Sequence, residues 1–379
     1  MKIGIDIRTL MDAEYSGVPE YTLNLIKEIL RLDSNNEYKL FYNSFADLED
    51  RIPKFEGNNI EIVKTNYPNK IFNYGFQKIL GWPKIDKFMD VDVFFLPHMN
   101  FASLSKDVKK IIAIHDLSFL HYPDFFSLRK NIWHKMVNIK KLLGNFDKVV
   151  AVSENTKKDL IELCDVDPGK IKVIYSAIEK NYKKIEDQEK LTKIKNKYNL
   201  PDKFILFLAT LEPRKNVDGL IQAFDIFQKK YSGFESYELI IVGGKGWKGR
   251  KIFEAWQKAR HKEKIKFLGY IKRGDKKYIY NLASLFVYPS FYEGFGFPPL
   301  EAMASGAPVI TSNSSSLPEV VKDNAVLINP YDINEISEAI CQTLSNDNIR
   351  KRISGSALKY VENFSWEKTA REYINLFLY

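Results

Sequence analysis

The chain has 379 residues, 45% hydrophobic and 28% charged, a composition that excludes a disordered chain and is long enough for two ordinary domains. Its net charge of +9, carried almost wholly beyond residue 180, admits anionic partners, but no zinc-finger, RNP-type or heptad basic-region pattern accompanies it, which sets nucleic acid aside. Two cysteines, Cys164 and Cys341, lie far apart and form no C-x-x-C pair, which excludes a disulfide framework and a cysteine-rich metal site; with no leader-like N-terminus and no apolar run near the ~18 residues of a membrane span, the expected location is the cytoplasm.

In chain order, short runs rich in Ile, Val and Phe recur between helical patterns. KIGIDI, YKLFY, IEIVKT, VDVFFLP, KIIAIHD and KVVAVS read as buried parallel strands of a first sheet, and KFILFLAT, YELIIVGG, KIKFLGY, SLFVYPS, APVITS and AVLIN as those of a second. The predicted fold class is therefore α/β, with two doubly wound, Rossmann-like domains at residues 1–178 and 203–362. The polar, lysine-rich segment 179–202 between them is a linker and hinge candidate, and residues 363–379 place Trp366, Ala370, Tyr373 and Phe377 at helical spacing, a terminal helix that must dock on an apolar face, the first domain being the candidate. Ligands of open α/β sheets bind at the carboxyl ends of strands, and two such domains facing each other leave a cleft, so the functional residues are expected on that rim.

Several stretches carry polar residues suited to that rim. YSGVPEYTLNLIKEIL follows the first strand and offers a glycine loop at Gly17, stiffened by Pro19. His115 ends KIIAIH, where it is either a structural or a catalytic histidine, and Asp116 either orients its ring or caps the next turn. The D-x-D pairs Asp90/Asp92 and Asp165/Asp167 read as strand-edge and turn acids rather than metal ligands. SLRKNIWHKMVNIKKLLGNF, residues 127–146, reads as a basic amphipathic helix that suits either an anionic membrane or a core face, and NKIFNYGFQKILGW is a second candidate for acceptor or lipid contact. In TLEPRKN, Arg214 and Lys215 precede a helix, where bases oppose the helix dipole unless an anion joins them. VGGKGWKG spells G-x-G-x-x-G at Gly244, Gly246 and Gly249, a weak dinucleotide fingerprint crowded by Lys245, Lys248, Arg250 and Lys251.

The longest motif is SFYEGFGFPPLEAMASG, residues 290–306. Glu293 falls in the loop after a strand, the backbone of Gly294, Phe295 and Gly296 can approach a ligand closely, Pro298-Pro299 suits a helix start, and Glu301 is expected in the first turn. A helix N-terminus in this place suits a phosphate, although a first-turn glutamate that merely complements the dipole is the plainer reading.

This motif closely resembles the E-x7-E signature of glycosyltransferase family 4, retaining enzymes with the GT-B fold of two facing Rossmann-like domains. The resemblance extends through LATLEPRKNVDGLIQAF, IVGGKGW, FLGYI, SSLPEVV and NPYDINEISEAI in the second half and through AIHDLSF and AVSENTKKDL in the first, weakest over residues 40–95. It implies that Glu293 faces the donor sugar's hydroxyls, Glu301 accepts hydrogen bonds from the nucleotide ribose, and Gly294, Phe295 and Gly296 hold the diphosphate between them. By the same resemblance Arg214 and Lys215 neutralise the departing diphosphate, His115 contacts the transferred sugar near the reacting carbon, Gly17 lies beside phosphates and acceptor, and Gly244, Tyr270 and Ile271 belong to the donor side. Two departures stand out: relatives often have a second glycine where this chain reads Gly17-Val18-Pro19, and an arginine where it has Ala209-Thr210. The implied activity is metal-independent, cofactor-free transfer of a hexose from a nucleotide diphosphate sugar, GDP-mannose first and UDP-hexose second. The implied acceptor is a saccharide or lipid-linked saccharide of surface polysaccharide synthesis, handled in the cytoplasm or on the inner membrane face. A sugar-nucleotide epimerase of the same fold and a binding-only protein are the alternatives; an epimerase needs acid/base groups around a sugar carbon, and a dead site should have lost one of the two signatures, which are both intact.

Overall fold

The apolar runs assemble into two wholly parallel sheets in a computed structural model that describes residues 1–12, 17–48 and 51–379. The first has seven strands in the order β3-β2-β1-β4-β5-β6-β7: β1 Lys2–Asp6, β2 Glu37–Asn43, β3 Ile60–Thr65, β4 Val93–Leu96, β5 Lys109–Ile114, β6 Lys148–Ala151 and β7 Ile171–Val173. The second has six in the order β10-β9-β8-β11-β12-β13: β8 Phe204–Leu208, β9 Glu238–Val242, β10 Ile265–Gly269, β11 Leu285–Tyr288, β12 Val309–Ser312 and β13 Val326–Ile328. Their central strands are buried on both faces, as in FILFL and LFVY, because helices cover each side. Among the described residues the strand missed in the sequence is β7, a three-residue edge strand whose lysine interrupts the apolar run.

Two compact units result. One contains Met1–Leu117, Arg129–Ala177 and Phe364–Tyr379, the other Ser118–Leu128 and Ile178–Asn363. Within the first, the terminal helix Trp366–Leu378 buries Trp366, Ala370, Tyr373 and Phe377. Tyr373 meets Tyr21 of the helix Val18–Leu32, hydroxyl to hydroxyl at 2.5 Å, and Phe95 of β4 packs on its ring at 4.9 Å. Within the second, the segment after residue 178 contains a helix, Gln188–Lys197, which buries Leu191 and Ile194 and pairs Lys197 with Asp275 at 2.5 Å.

The stretch 127–146 is not one amphipathic helix. Asn138 adopts a left-handed conformation, φ 49°, and divides it into Leu128–Val137 and Ile139–Gly144, so the apolar residues do not form one continuous stripe. NKIFNYGFQKILGW forms a ten-residue π-helix, Ile71–Leu80, stopped by Gly81 in the left-handed region. No described helix is long and apolar enough to cross a membrane.

Candidate active site

In each sheet the chain runs outward from a central strand and then returns to that strand's other side. The reversals fall between β1 and β4 and between β8 and β11, and loops that leave such neighbouring strands in opposite directions open a crevice at the carboxyl edge. Both long motifs lie there. TLEPRKN leaves β8 and SFYEGFGFPPLEAMASG leaves β11, so β8 beside β11 brings together residues nearly eighty positions apart in the chain.

The residues meet in a buried ion network. Pro213–Lys215 make a single 3-10 turn before the helix Val217–Lys230, and this turn aims Arg214 and Lys215 at the second loop. Lys215 Nζ donates to Glu293 Oε1 and to the Tyr288 hydroxyl, both at 2.6 Å. Tyr288 and Ser290 hydroxyls donate to the same oxygen at 3.0 and 2.6 Å. Arg214 Nη1 donates to Glu293 Oε2 at 2.8 Å and to the Tyr292 carbonyl at 2.6 Å, while Nη2 reaches Glu212 Oε1 at 2.8 Å. The side chains of Arg214, Lys215 and Glu293 are only 14%, 9% and 8% exposed. Although burial alone would raise it, Glu293 is held down at about 2 by the adjacent Arg214 and Lys215 charges and by the Lys215 and Ser290 hydrogen bonds. Lys215 moves the other way from its partner's pull: burial and the neighbouring Arg214 charge bring it below the ordinary lysine range.

The loop that carries Glu293 is pinned from β12's side. Ser315 Oγ accepts from the Glu293 amide at 2.8 Å, Ser316 Oγ donates to the carbonyls of Glu293 and Phe295 at 2.9 and 3.0 Å, and Ser314 Oγ donates to Phe291 at 3.0 Å. Gly296 takes φ 104° at the helix cap, and a Cβ there would stand 2.7 Å from Leu317, so the turn requires glycine. The helix begins at Phe297 with proline in its first positions and runs to Ala304, which places Glu301 one turn further in than expected from the sequence. Its dipole role is weakened accordingly. Glu301 is buried, and its Oε2 accepts from the Tyr280 hydroxyl at 2.9 Å. Phe295, also buried, packs its ring against Phe297 at 5.3 Å, so only its backbone suits a ligand.

The glycines of VGGKGWKG have a structural cause that the dinucleotide fingerprint does not need. A Cβ on Gly243 would lie 1.8 Å from the Ala209 carbonyl oxygen and one on Gly246 2.5 Å from that of Leu211, because this loop pairs with the loop leaving β8. At Gly244 no atom stands within 4 Å of such a Cβ, so close packing does not dictate that glycine. Tyr270 and Ile271 follow β10; the first is half exposed and the second buried.

In the first unit, Gly17 caps the helix Val18–Leu32, and its carbonyl accepts from the Tyr21 amide at 2.9 Å; Tyr15 and Ser16 of the same motif lie outside the described residues. Tyr21 stands edge-on to His115 with ring centroids 4.5 Å apart. His115 Nε2 lies 2.8 Å from the Pro97 carbonyl, which can only accept, so Nε2 carries the proton and Nδ1 is an acceptor in the neutral ring. Burial lowers the basicity of His115 and takes His98 to about 3 and His134 to about 4. The ring of His98, 5.9 Å from that of His115, was not anticipated from the sequence, since a histidine after a strand-ending proline carries no motif.

The D-x-D acids serve their own surroundings. Asp90 pairs with Lys2 at 2.5 Å, Asp92 accepts from the Lys2 amide at 2.8 Å, Asp165 pairs with Lys140 at 2.8 Å and Asp167 accepts from the Gly169 amide at 2.9 Å. Among the described residues no group of three or more His, Cys, Asp or Glu side chains is placed to hold a metal ion.

Residues 15–182 match the family described as Glycosyltransferase Family 4, and residues 188–360 match Glycosyl transferases group 1. The O-antigen chain mannosyltransferase B of Escherichia coli is 29% identical over 96% of both chains. The serotype-specific mannosyltransferase WbdA of Escherichia coli is 31% identical over 69% of this chain, which spans only 32% of that larger protein. HepE of Anabaena, solved in complex with UDP and glucose, superposes with a TM-score of 0.75 at 19% identity over 100% of this chain and 99% of its own, a likeness of fold. With both halves matched and both sheets in place, the chain belongs to the group 1, family 4 glycosyltransferases of GT-B fold.

Proposed function

We propose that this glycosyltransferase moves mannose from GDP-mannose, with retention and without a metal ion or other cofactor, to a hydroxyl of a saccharide or lipid-linked saccharide in surface polysaccharide synthesis. The observation that carries the reading is the meeting of Arg214, Lys215 and Glu293 beside the helix start at Phe297, on the carboxyl edge of the second sheet. Two cations and a helix N-terminus suit a diphosphate whose charge grows as it leaves. The names of the two mannosyltransferase relatives support the choice of sugar.

In this reading Arg214 and Lys215 take up the charge of the leaving diphosphate, and Glu293 holds both extended while offering its carboxylate to sugar hydroxyls. Glu301, oriented by Tyr280, accepts from the ribose, the Gly294–Gly296 backbone follows the diphosphate, and Gly244, Tyr270 and Ile271 line the donor side. Nδ1 of His115 accepts from a hydroxyl of the transferred sugar, and the loop at Gly17 serves the phosphates and acceptor. The bond from the anomeric carbon to the phosphate oxygen breaks, the acceptor oxygen bonds to that carbon on the same face, and the acceptor's proton passes to the departing phosphate. Lys215 and Arg214 are thus preorganised for a charge that exists only late in the reaction.

The test is a panel of GDP- and UDP-sugars with a saccharide acceptor, with the anomeric configuration of the product read by NMR and the assay repeated with a chelator. One α-mannoside from GDP-mannose, undiminished by chelation, is expected. Preference for a UDP-sugar overturns the donor, an inverted product overturns retention, and loss of activity on chelation overturns the metal-free chemistry.

A further inference from the structure

The first unit presents a surface that the donor chemistry leaves unused. The π-helix Ile71–Leu80 buries Phe72 and Gln77, but beyond them the chain turns outward, and Ile79, Leu80 and Trp82 are 76%, 66% and 64% exposed. Isolated exposed apolar residues are ordinary, whereas three large ones within four positions at the end of one element are not. The helix Leu128–Val137 lies against this element. Lys78 Nζ donates to the Met136 carbonyl at 2.6 Å and stands 5.2 Å over the Phe101 ring, and Phe101 in turn packs on Tyr74 at 5.4 Å and Trp133 at 6.4 Å. That helix exposes Arg129, Ile132 and Lys135, three residues apart and hence along one side, and Lys141 is exposed just beyond the break at Asn138.

The charge on these two segments has one sign. Residues 66–85 contain Lys70, Lys78 and Lys84 and residues 127–146 contain Arg129, Lys130, Lys135, Lys140 and Lys141, and neither contains an aspartate or glutamate. Lys140 is paired with Asp165, and Lys84 donates to Ser103, so Arg129, Lys135 and Lys141 are the cations best placed for an outside anion. Long basic side chains lay apolar stems beside an apolar surface while their heads reach phosphate, and tryptophan prefers the boundary between the two. We propose that this face docks on an anionic lipid bilayer, with Ile79, Leu80 and Trp82 entering the headgroup boundary and Arg129, Lys135 and Lys141 meeting lipid phosphates. An apolar tip on one element, with a basic helix packed against that element and neither long enough to span, is the chemistry of a surface that lies in the interface. The proposal goes beyond the transfer reaction and does not depend on which donor is used.

The experiment is sedimentation of the full chain with vesicles of phosphatidylcholine alone or with added phosphatidylglycerol, at low and high salt. Binding is expected to the anionic vesicles, weakening as salt screens the charges. The variant I79S/L80S/W82S should lose most of it, and R129E/K135E/K141E about a hundredfold or more, at roughly fivefold for each cation removed. Neither set touches the residues assigned to the donor, so nucleoside diphosphate binding and the circular dichroism spectrum should stay as in the wild type, which shows that both variants fold. Equal binding to neutral and anionic vesicles, no binding at all, or unchanged binding by the charge-reversal variant overturns the proposal. So does light scattering that shows a wild-type dimer and a monomeric apolar variant without vesicle binding, which would make the face a contact between copies.

Discussion

Replacing Glu293 with glutamine tests whether the buried network holds the site together. Glutamine keeps an acceptor for Lys215, Tyr288 and Ser290 but sets an NH2 against Arg214 Nη1, where Oε2 now accepts at 2.8 Å. Removing one charge of a buried pair costs ~3–5 kcal/mol, and the retained bonds place this change at the lower end, about 3 kcal/mol. The ionisation behaviour leads to the same scale: Glu293 falls from 4.5 to about 2, and at ~1.4 kcal/mol per unit that is again about 3 kcal/mol, part of it offset by the buried Lys215. For a unit of this size ~3 kcal/mol lowers Tm by roughly 6–12 °C. Because the folded value lies below the unfolded one, the stabilisation is complete above pH 4.5 and is lost as pH falls toward 2. Thermal unfolding followed by circular dichroism and by tryptophan fluorescence should therefore show wild type and E293Q well separated at neutral pH and converging in acid. A separation below about 2 °C, or one that does not narrow in acid, would refute a load shared through Glu293.

Four further outcomes follow from the same geometry. On the proposed reaction, Lys215→Ala should cost on the order of 10²-fold or more in turnover with a smaller change in KM, because there its charge would count most as the diphosphate departs; an effect confined to KM would remove it from the transition state. Glu301→Gln should weaken donor affinity by about tenfold and leave kcat nearly intact, measured by titration with the nucleoside diphosphate. His115→Ala should impair transfer much more than donor binding, and since burial keeps the ring neutral where an ordinary histidine gains charge, the wild-type rate should show no acid limb near pH 6.5; such a limb would mean that the ring titrates freely. His98 and His134, lowered to about 3 and about 4, should make the first unit lose stability as pH falls from 6.5 toward 4, since the unfolded chain binds protons that the fold refuses; His134→Asn should flatten that slope, and an unchanged slope would count against it.

Chain order and local pattern sufficed for the two sheets apart from the short edge strand β7, because strands buried on both faces must be continuous apolar runs such as FILFL and LFVY, and the spacing of Trp366, Ala370, Tyr373 and Phe377 required a docked terminal helix. The motifs TLEPRKN and SFYEGFGFPPLEAMASG stood out for a similar reason: each is one loop between a strand and a helix, with its proline and charge close together in the chain. Partnership was not legible. That Glu293 binds Arg214 and Lys215 follows from β8 lying beside β11, and that Tyr21, next to His115, meets Tyr373 across 352 residues follows from where the last helix packs. Of Gly244, Gly246 and Gly249, which spell a nucleotide fingerprint, Gly246 has a structural cause that only the fold shows: the Leu211 carbonyl occupies the space of a side chain there, as the Ala209 carbonyl does at the neighbouring Gly243. The amphipathic reading of residues 127–146 failed at Asn138, whose left-handed backbone is a property of one residue in its turn and leaves hydrophobic periodicity unchanged. Local periodicity records which face of an element is buried; which element buries it, and which distant charge stands opposite, is decided only when the strand order is set.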